Sequence, residues 1–154
     1  MELKPGDKAP EINATDQDGN KISLNNFKGS RVILYFYPKD STPGCTAEAC
    51  NLRDNYSLLI KKGFKIIGVS ADDEKSHKNF IEKNVLPFPL IPDKAKNIIN
   101  AYGVWGIKNL YGRESEGIIR TTFIISGDGK IEHIIKKVDT KNHTQQILTE
   151  LNIR

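Results

Sequence analysis

Apolar positions along the chain predict a central β-sheet. Residues 31–37 form a near-continuous apolar run rich in β-branched and aromatic residues, which is typical of a strand buried on both faces. Near the N terminus, segments 12–15 and 21–24 around Asp18-Gly19-Asn20 predict a β-hairpin. The remaining strands are predicted at 64–69 and 88–91 and, as a second hairpin, at 118–126 and 130–138.

The longest helix is predicted at residues 43–62. Ser41 or Thr42 can cap its start, Pro43 suits its first turn, and Gly63 suits its end. A stripe of side chains at helical spacing should pack this helix on the sheet: Cys45, Ala49, Leu52, Tyr56, Leu59 and Ile60. Further helices are predicted at about 73–84, 94–102 and 141–151.

The order of these elements predicts an α/β fold with a mixed sheet. Strands joined by crossover helices are expected to be parallel, whereas the second hairpin adds antiparallel strands. The 154 residues are enough for one domain with its own hydrophobic core. The sequence contains no linker, internal repeat or low-complexity segment, so we expect residues 1–154 to form a single domain.

Composition and charge argue against several classes of protein. Hydrophobic residues make up 38% and charged residues 27%, and no apolar run approaches the length of a membrane span. The chain is mildly basic, with a net charge of +4, but acidic residues separate the lysines almost everywhere. This pattern favours a solvated surface over a nucleic-acid groove. The N-terminal residues lack the apolar segment of a signal peptide, so we expect a cytoplasmic protein without membrane association.

The two cysteines are the strongest candidates for chemistry. Cys45 lies at the predicted start of the long helix, where unpaired N–H groups and the helix dipole favour a thiolate over a thiol. Cys50 follows five residues later and could act as its redox partner. Two cysteines in a chain expected to be cytoplasmic argue against a structural disulfide framework.

Flanking residues give these cysteines a family resemblance. The pattern Pro38-x-x-x-Thr42-x-x-Cys45 resembles the active-site signature of the peroxiredoxins, and a second cysteine five residues on resembles the bacterioferritin-comigratory-protein, or Q-type, subfamily. Segments 103–106, 120–125 and 129–131 resemble the same subfamily, and the similarity extends over nearly the whole chain. The resemblance implies a thioredoxin-like fold: a central mixed β-sheet flanked by helices, with an N-terminal β-hairpin.

The resemblance also implies roles for individual residues. Cys45 matches the peroxide-reactive cysteine and Cys50 the resolving cysteine. For Arg120 the strand pattern alone favours an exposed edge residue, but the resemblance matches it to the active-site arginine and decides for that role. Thr42 could orient the peroxide, cap the helix, or both. The implied enzyme is an antioxidant thiol peroxidase without a cofactor or metal, recycled by thioredoxin or a similar dithiol protein.

Helix geometry sets a condition on the second cysteine. Positions five residues apart on an ideal α-helix have Cα atoms roughly 8.6 Å apart, beyond the ~7 Å limit for a disulfide. A Cys45–Cys50 bond therefore requires the first helical turns to unwind in each cycle. Because both thiols belong to one chain, a monomer is sufficient, and we expect the protein to be monomeric.

The other polar candidates carry weaker signals. Glu48, one turn after Cys45, is as compatible with a solvated carboxylate as with a position near the site. His77, His133 and His143 show no zinc-site spacing and are predicted to be surface residues. Two other functions remain open at this point. A thiol–disulfide oxidoreductase normally uses Cys-x-x-Cys, whereas a redox-sensing or chaperone-like module would react once and not turn over.

Overall fold

The computed structural model describes residues 2–154, and Leu110 only by its backbone. Within these residues the strands are β1 Asn13–Thr15, β2 Lys21–Ser23, β3 Arg31–Phe36, β4 Phe64–Ser70, β5 Leu90–Pro92, β6 Trp105–Leu110, β7 Arg113–Ile118, β8 Thr121–Ile125 and β9 Ile131–Ile135. The α-helices are α1 Pro43–Asp54, α2 Tyr56–Lys61, α3 Glu74–Asn84, α4 Asn97–Ala101 and α5 His143–Glu150, and a 3-10 helix spans Leu24–Phe27.

Five strands form the central sheet in the order β5-β4-β3-β8-β9. β3, β4 and β5 are parallel, whereas β8 and β9 are antiparallel to their neighbours. The pairs β1–β2 and β6–β7 form separate two-stranded sheets. The predicted mixed sheet and N-terminal hairpin are therefore present.

The buried strand β3 divides the core into two clusters. Its alternate side chains Val32, Leu34 and Phe36 face one cluster, which also contains residues of α4 and of the N-terminal hairpin. Ile33, Tyr35 and the following Tyr37 face the other cluster, with Cys45 and residues of α1, α3 and α5. Each fully buried large apolar side chain contributes about 1.5–3 kcal/mol, so this alternation fixes α1 firmly against the sheet.

The prediction of one helix over residues 43–62 is wrong in one respect. Asn55 adopts φ −107° and ψ 14° and separates α1 from α2. Its side-chain amide donates to the carbonyl oxygen of Asn51 at 2.8 Å. Such competition with the helical backbone is typical of asparagine.

The predicted strand at 118–126 is also shorter than expected. A hairpin that the sequence analysis missed, β6–β7, occupies Trp105–Ile118, and β8 begins only at Thr121. Arg120 therefore lies in the connection between β7 and β8 rather than early in a strand. No helix among the described residues is long and apolar enough to cross a membrane.

Candidate active site

Cys45 lies in the first turn of α1, which begins directly after the N-cap residue Thr42. Pro43 occupies the first helical position, where its fixed φ is favourable and its missing N–H is not needed. The first helical hydrogen bond runs from the Thr46 N–H to the Thr42 carbonyl at 2.9 Å. The N–H groups of Gly44 and Cys45 precede it and stay available for an anion. The Cys45 side chain itself is only 1% exposed.

Arg120 is brought to Cys45 by the register of the sheet. Phe36, the last residue of β3, pairs with Thr121, the first residue of β8. Arg120 therefore lies beside the end of β3, from which the chain turns into α1. Its Nη2 donates to the Cys45 Sγ at 3.3 Å.

Gly44 leaves space for this guanidinium. A Cβ atom at Gly44 would lie 3.1 Å from Arg120 Nη2, closer than ordinary van der Waals contact. Cys45 is thus approached by the start of a helix and by a cation, and both stabilise a thiolate.

Glu48 is the second partner of Arg120. Its Oε1 accepts from Arg120 Nη1 at 2.6 Å, and its side chain is fully buried. Its Oε2 lies 3.5 Å from His143 Nε2. The sequence left open whether Glu48 is a solvated carboxylate or lies near the site, and the structure places it near the site. Its spacing of three residues from Cys45 on one helix was the available signal.

Burial dominates the ionisation of the two fully buried groups of this cluster, Glu48 and His143. It raises the pKa of Glu48 to about 7, against the opposing charge of Arg120. It lowers the pKa of His143 to about 4, offset in part by the hydrogen bond to Gln146. Burial also acts to lower the pKa of Arg120, but the charges of Glu48 and Cys45 outweigh it and raise that pKa. Arg120 is therefore a permanent cation between two groups that compete for its charge.

Thr42 lies at the N-cap position, but its side chain does not cap the helix. Its hydroxyl donates to the Lys39 carbonyl at 2.8 Å. With the proton directed there, the oxygen lone pairs remain available as acceptors. The sequence allowed Thr42 to cap the helix, but its hydroxyl does not do so in the structure.

A buried network fixes the turn that carries Thr42. Asp40 accepts hydrogen bonds from the hydroxyls of Tyr37 at 2.6 Å and Ser76 at 2.8 Å. Its other contacts are His77 Nδ1 at 2.7 Å and, through the Asp40 N–H, Asp72 Oδ2 at 2.8 Å. These contacts join the turn after β3 to the start of α3.

The prediction of three surface histidines is wrong for two of them. His77 and His143 are fully buried, whereas His133 is partly exposed and bonded to Glu150. His143 precedes Ile147 of α5 and the C-cap residue Leu151 by four and eight positions, and this apolar spacing was an available signal of burial. His77 falls within a largely polar helix, and its burial depends on the distant Asp40.

Cys50 points to a different part of the molecule. Its side chain is partly buried, and its Sγ donates to Asn84 Oδ1, at the end of α3, over 3.6 Å. Arg53 Nη1 also reaches the Asn84 carbonyl oxygen, at 2.7 Å. Both cysteines are free thiols on the continuous helix α1. The structure thus brings Arg120 to Cys45 and leaves Cys50 apart.

The hairpin β6–β7 carries Lys108, whose pKa responds to the charges of the site. Burial and the charge of Arg120 lower the pKa of this lysine, while the charge of Cys45 opposes them. Lys108 was not predicted as a site residue, because the hairpin that carries it was not predicted either.

A family model described as the AhpC/TSA family matches residues 5–134, most of the chain. The chain belongs to the AhpC/TSA family. The peroxiredoxin Bcp of Escherichia coli K12 is 44% identical over 149 residues, which are 97% of this chain and 96% of that protein. A putative peroxiredoxin of Coxiella burnetii is 43% identical over 151 residues, 98% of this chain and 100% of that protein. The peroxiredoxin resemblance and its Bcp subfamily are confirmed, and the chain is an oxidoreductase of the peroxidase class.

Solved structures of this family confirm the thioredoxin-like fold. The bacterioferritin comigratory protein of Xanthomonas campestris, described for its alkyl peroxide reduction activity, matches with a TM-score of 0.87 and 34% identity. The match covers 97% of this chain and 98% of that one. A yeast mitochondrial 1-Cys peroxiredoxin, described for thiol resolution through glutathione and thioredoxin systems, matches with a TM-score of 0.82 and 26% identity. That match covers 97% of this chain and 75% of the yeast chain.

Proposed function

We propose that Cys45 is the peroxide-reactive residue and that the protein reduces hydrogen peroxide and organic hydroperoxides. The observation that carries this proposal is the 3.3 Å contact between Arg120 Nη2 and the Cys45 Sγ at the start of α1. In the first step the thiolate attacks one peroxide oxygen. The S–O bond forms as the O–O bond breaks, the sulfur is oxidised to a sulfenic acid, and hydroxide or alkoxide leaves and takes up a proton.

Donors and acceptors around the sulfur suit the two peroxide oxygens. Arg120 and the N–H groups of Gly44 and Cys45 can donate to the oxygens as negative charge develops on them. The Thr42 oxygen, whose own proton is engaged by Lys39, can accept the hydrogen of the hydroperoxide. Pro38 has a structural role in this proposal, because it has no N–H and stiffens the turn.

Cys50 resolves the sulfenic acid in the second step. The Cys50 sulfur attacks the Cys45 sulfur, a disulfide forms within the chain, and water leaves. This requires α1 to unwind and Cys50 to leave Asn84. The contacts of Asn51 with the start of α5 must also loosen: its Oδ1 accepts from the Thr144 N–H at 2.8 Å and its Nδ2 donates to the Lys141 carbonyl at 2.9 Å.

A dithiol protein of the thioredoxin type then reduces the disulfide. The alkyl peroxide reduction described for the X. campestris protein supports alkyl hydroperoxides as substrates, and the glutathione and thioredoxin systems described for the yeast protein support thioredoxin as a source of electrons. The cycle needs no thiol from a second chain, so we propose a cytoplasmic monomer in which residues 1–154 act as one domain. Its function is defence against peroxides and redox homeostasis.

The assignment of Cys45 is tested by the pair Cys45→Ser and Cys50→Ser. Cys45→Ser is expected to abolish peroxide reduction in an assay coupled to thioredoxin and its reductase, because a hydroxyl cannot form a sulfenic acid. Cys50→Ser should lose turnover with thioredoxin but still consume about one equivalent of peroxide. Substantial turnover by Cys45→Ser would contradict the assignment. If the native protein reacted with peroxide only once and did not turn over, the result would instead support a redox sensor.

A further inference from the structure

One peptide unit connects Thr42 to a carboxylate that the peroxide cycle described above does not use. Its carbonyl oxygen, from Lys39, accepts from the Thr42 hydroxyl at 2.8 Å. Its N–H, from Asp40, donates to Asp72 Oδ2 at 2.8 Å. The peptide unit is planar, so the orientation of its N–H fixes the orientation of its carbonyl. A continuous chain of hydrogen bonds therefore runs from Thr42 to Asp72.

Every hydrogen in this chain is donated toward Asp72. A carbonyl oxygen can only accept, so the Thr42 hydroxyl hydrogen is directed at Lys39 and the Thr42 oxygen has only lone pairs to offer. Hydrogen bonds in a chain strengthen one another, and a bond that ends on a carboxylate is stronger than a neutral one. Asp72 thus favours the arrangement in which Thr42 accepts the hydrogen of a hydroperoxide.

Asp72 is itself anchored outside the turn that carries Thr42. The Ser70 hydroxyl donates to Asp72 Oδ2 at 2.7 Å, and the Asp72 N–H donates to the Ser70 oxygen at 3.2 Å. Ser70 is the last residue of β4 and is fully buried. The central sheet therefore sets the position of the carboxylate that orients the peptide unit.

The turn needs such a restraint because one of its residues has an unfavourable backbone conformation. Ser41 lies between Asp40 and Thr42 and has a φ of 62°, in the left-handed region. This region is disfavoured for residues that have a Cβ atom. The contact of the Asp40 N–H with Asp72 holds the chain in this conformation and so keeps Thr42 in place.

The net charge of the surrounding network lies on Asp72. Polar side-chain atoms of Asp40, Asp72 and His77 lie within 4.8 Å of one another. His77 Nε2 is 3.1 Å from the Ile91 carbonyl oxygen, which can only accept, so this nitrogen carries a hydrogen. A second hydrogen lies between His77 Nδ1 and Asp40 Oδ2, because two lone pairs 2.7 Å apart would repel each other. The Asp40–His77 pair is therefore neutral as a whole, which leaves the negative charge on Asp72.

We propose that Asp72 is a positioning residue for the peroxide reaction and acts on Thr42 through this peptide unit. It holds the Thr42 oxygen as the acceptor of the hydroperoxide hydrogen and so aligns the peroxide for attack by Cys45. The inference rests on the proposed roles of Cys45 and Thr42 and adds the residue that orients the second of them. Because Arg120 and the start of α1 stabilise the thiolate, Asp72 acts on the rate of attack and not on the ionisation of the sulfur.

The test compares Asp72→Ala and Asp72→Asn in a Cys50→Ser background, in which each protein molecule reacts once with peroxide. Stopped-flow measurement gives the rate of peroxide consumption, and ultraviolet absorbance gives the thiolate fraction. Asp72→Ala should react about tenfold more slowly, the effect of losing one hydrogen bond to a charged group, with unchanged thiolate absorbance. Asp72→Asn keeps an oxygen that can accept from the Asp40 N–H and should recover part of the rate.

Asp73→Ala is the matched control. Asp73 is the neighbouring carboxylate and caps α3 by accepting from the Ser76 N–H at 2.8 Å. Its loss should lower stability, because a helix cap is removed, but should leave the rate of peroxide attack unchanged.

Combination with Thr42→Val separates positioning from a general loss of structure. Thr42→Val removes the hydroxyl on which Asp72 acts, so adding Asp72→Ala to it should cause little further slowing. A structural defect would instead slow the protein by the same factor with and without Thr42→Val.

Three outcomes would overturn the inference: a native rate in Asp72→Ala, an equal slowing with and without Thr42→Val, or a lower thiolate fraction in Asp72→Ala. If Asp72→Ala does not fold, Ser70→Ala takes its place. That change releases the Asp72 oxygen and should slow the reaction in the same Thr42-dependent way, and a native rate would again overturn the inference. All these variants retain Cys45, so their result is distinct from that of Cys45→Ser, which decides the proposed function.

Discussion

Individual residues determine where charge lies in this site. Arg120 is a partly buried cation that contacts two groups, the Cys45 sulfur at 3.3 Å and the Glu48 carboxyl at 2.6 Å. Burying such a cation is costly unless it is paired and hydrogen-bonded. Gly44 contributes by having no side chain in the space that the guanidinium occupies. The contacts of Arg120 with Cys45 and Glu48 therefore stabilise the fold locally and prepare the sulfur for attack.

Replacing Arg120 with methionine should impair Cys45 directly. In a Cys50→Ser background, Arg120→Met is expected to lower the thiolate fraction at neutral pH and to slow peroxide attack about a hundredfold, because a donor to the developing charge is lost. Stopped-flow measurement of peroxide consumption gives the rate, and ultraviolet absorbance gives the thiolate. Arg31→Met is the matched control, since Arg31 pairs with Glu132 at 3.0 Å far from this site. An unaltered rate in Arg120→Met would remove Arg120 from the mechanism.

At the scale of secondary-structure elements, helix α1 has to meet two opposing requirements. The helix must be ordered to present its N–H groups to Cys45, yet it must unwind to let Cys50 reach that sulfur. The break at Asn55 limits the segment that has to rearrange, because α2 starts anew at Tyr56. The Cys50 thiol itself is restrained by a weak S–H···O contact to Asn84, and the neighbouring Asn51 by its hydrogen bonds to the start of α5. Ends of helices have low local stability, so unwinding there is feasible.

Removing the restraint on Cys50 should accelerate resolution. Asn84→Ala deletes the side-chain oxygen that holds the Cys50 thiol, so the second step should become severalfold faster and the sulfenic acid less prone to overoxidation. Acid-quenched samples analysed for sulfenic acid, disulfide and sulfinic acid over time measure this. Asn100→Ala, at an exposed position of α4, is the control. Slower disulfide formation in Asn84→Ala would show that the contact guides Cys50 instead of restraining it.

Most elements were predictable because their signals are local. The apolar run of β3 and the Ser/Thr–Pro start of α1 predict correctly where both elements begin. The hairpin β6–β7 was missed because the first four of the six residues of β7 are charged or polar and exposed. The contact of His143 with Glu48 joins residues 95 positions apart and depends on how α5 packs on α1. No local pattern encodes such a contact.

At the scale of the whole molecule, the buried residues Glu48 and His143 make the free energy of unfolding depend on pH. Burial raises the pKa of Glu48 from its ordinary 4.5 to about 7. Between these values the folded state holds more protons than the unfolded state, so Glu48 makes stability fall as pH rises. His143, with its pKa lowered from 6.5 to about 4, has the opposite effect, and stability rises with pH in its window. The two slopes largely cancel between about pH 4.5 and 6.5.

Comparison with the Glu48→Gln variant should reveal the pH dependence of stability that Glu48 causes and that His143 masks. Relative to Glu48→Gln, the native protein is expected to lose about 3 kcal/mol of unfolding free energy from pH 4.5 to pH 8, the equivalent of its pKa shift. Urea denaturation of both proteins at several pH values gives the difference directly. His143 is present in both, so its own contribution largely subtracts. A difference that does not change with pH would mean that folding leaves the pKa of Glu48 unshifted.

The central claim is that Cys45 is oxidised by peroxide and resolved by Cys50 of the same chain. Trypsin leaves both cysteines on one peptide, residues 40–53, and cleavage after Glu48 then separates them. Equal amounts of isotopically light and heavy protein are mixed, treated with peroxide, blocked, and digested without reductant for mass spectrometry. The account predicts one dominant species in which residues 40–48 and 49–53 remain joined by a disulfide, light with light and heavy with heavy. Mixed light–heavy pairs, or the absence of any Cys45–Cys50 peptide, would contradict it.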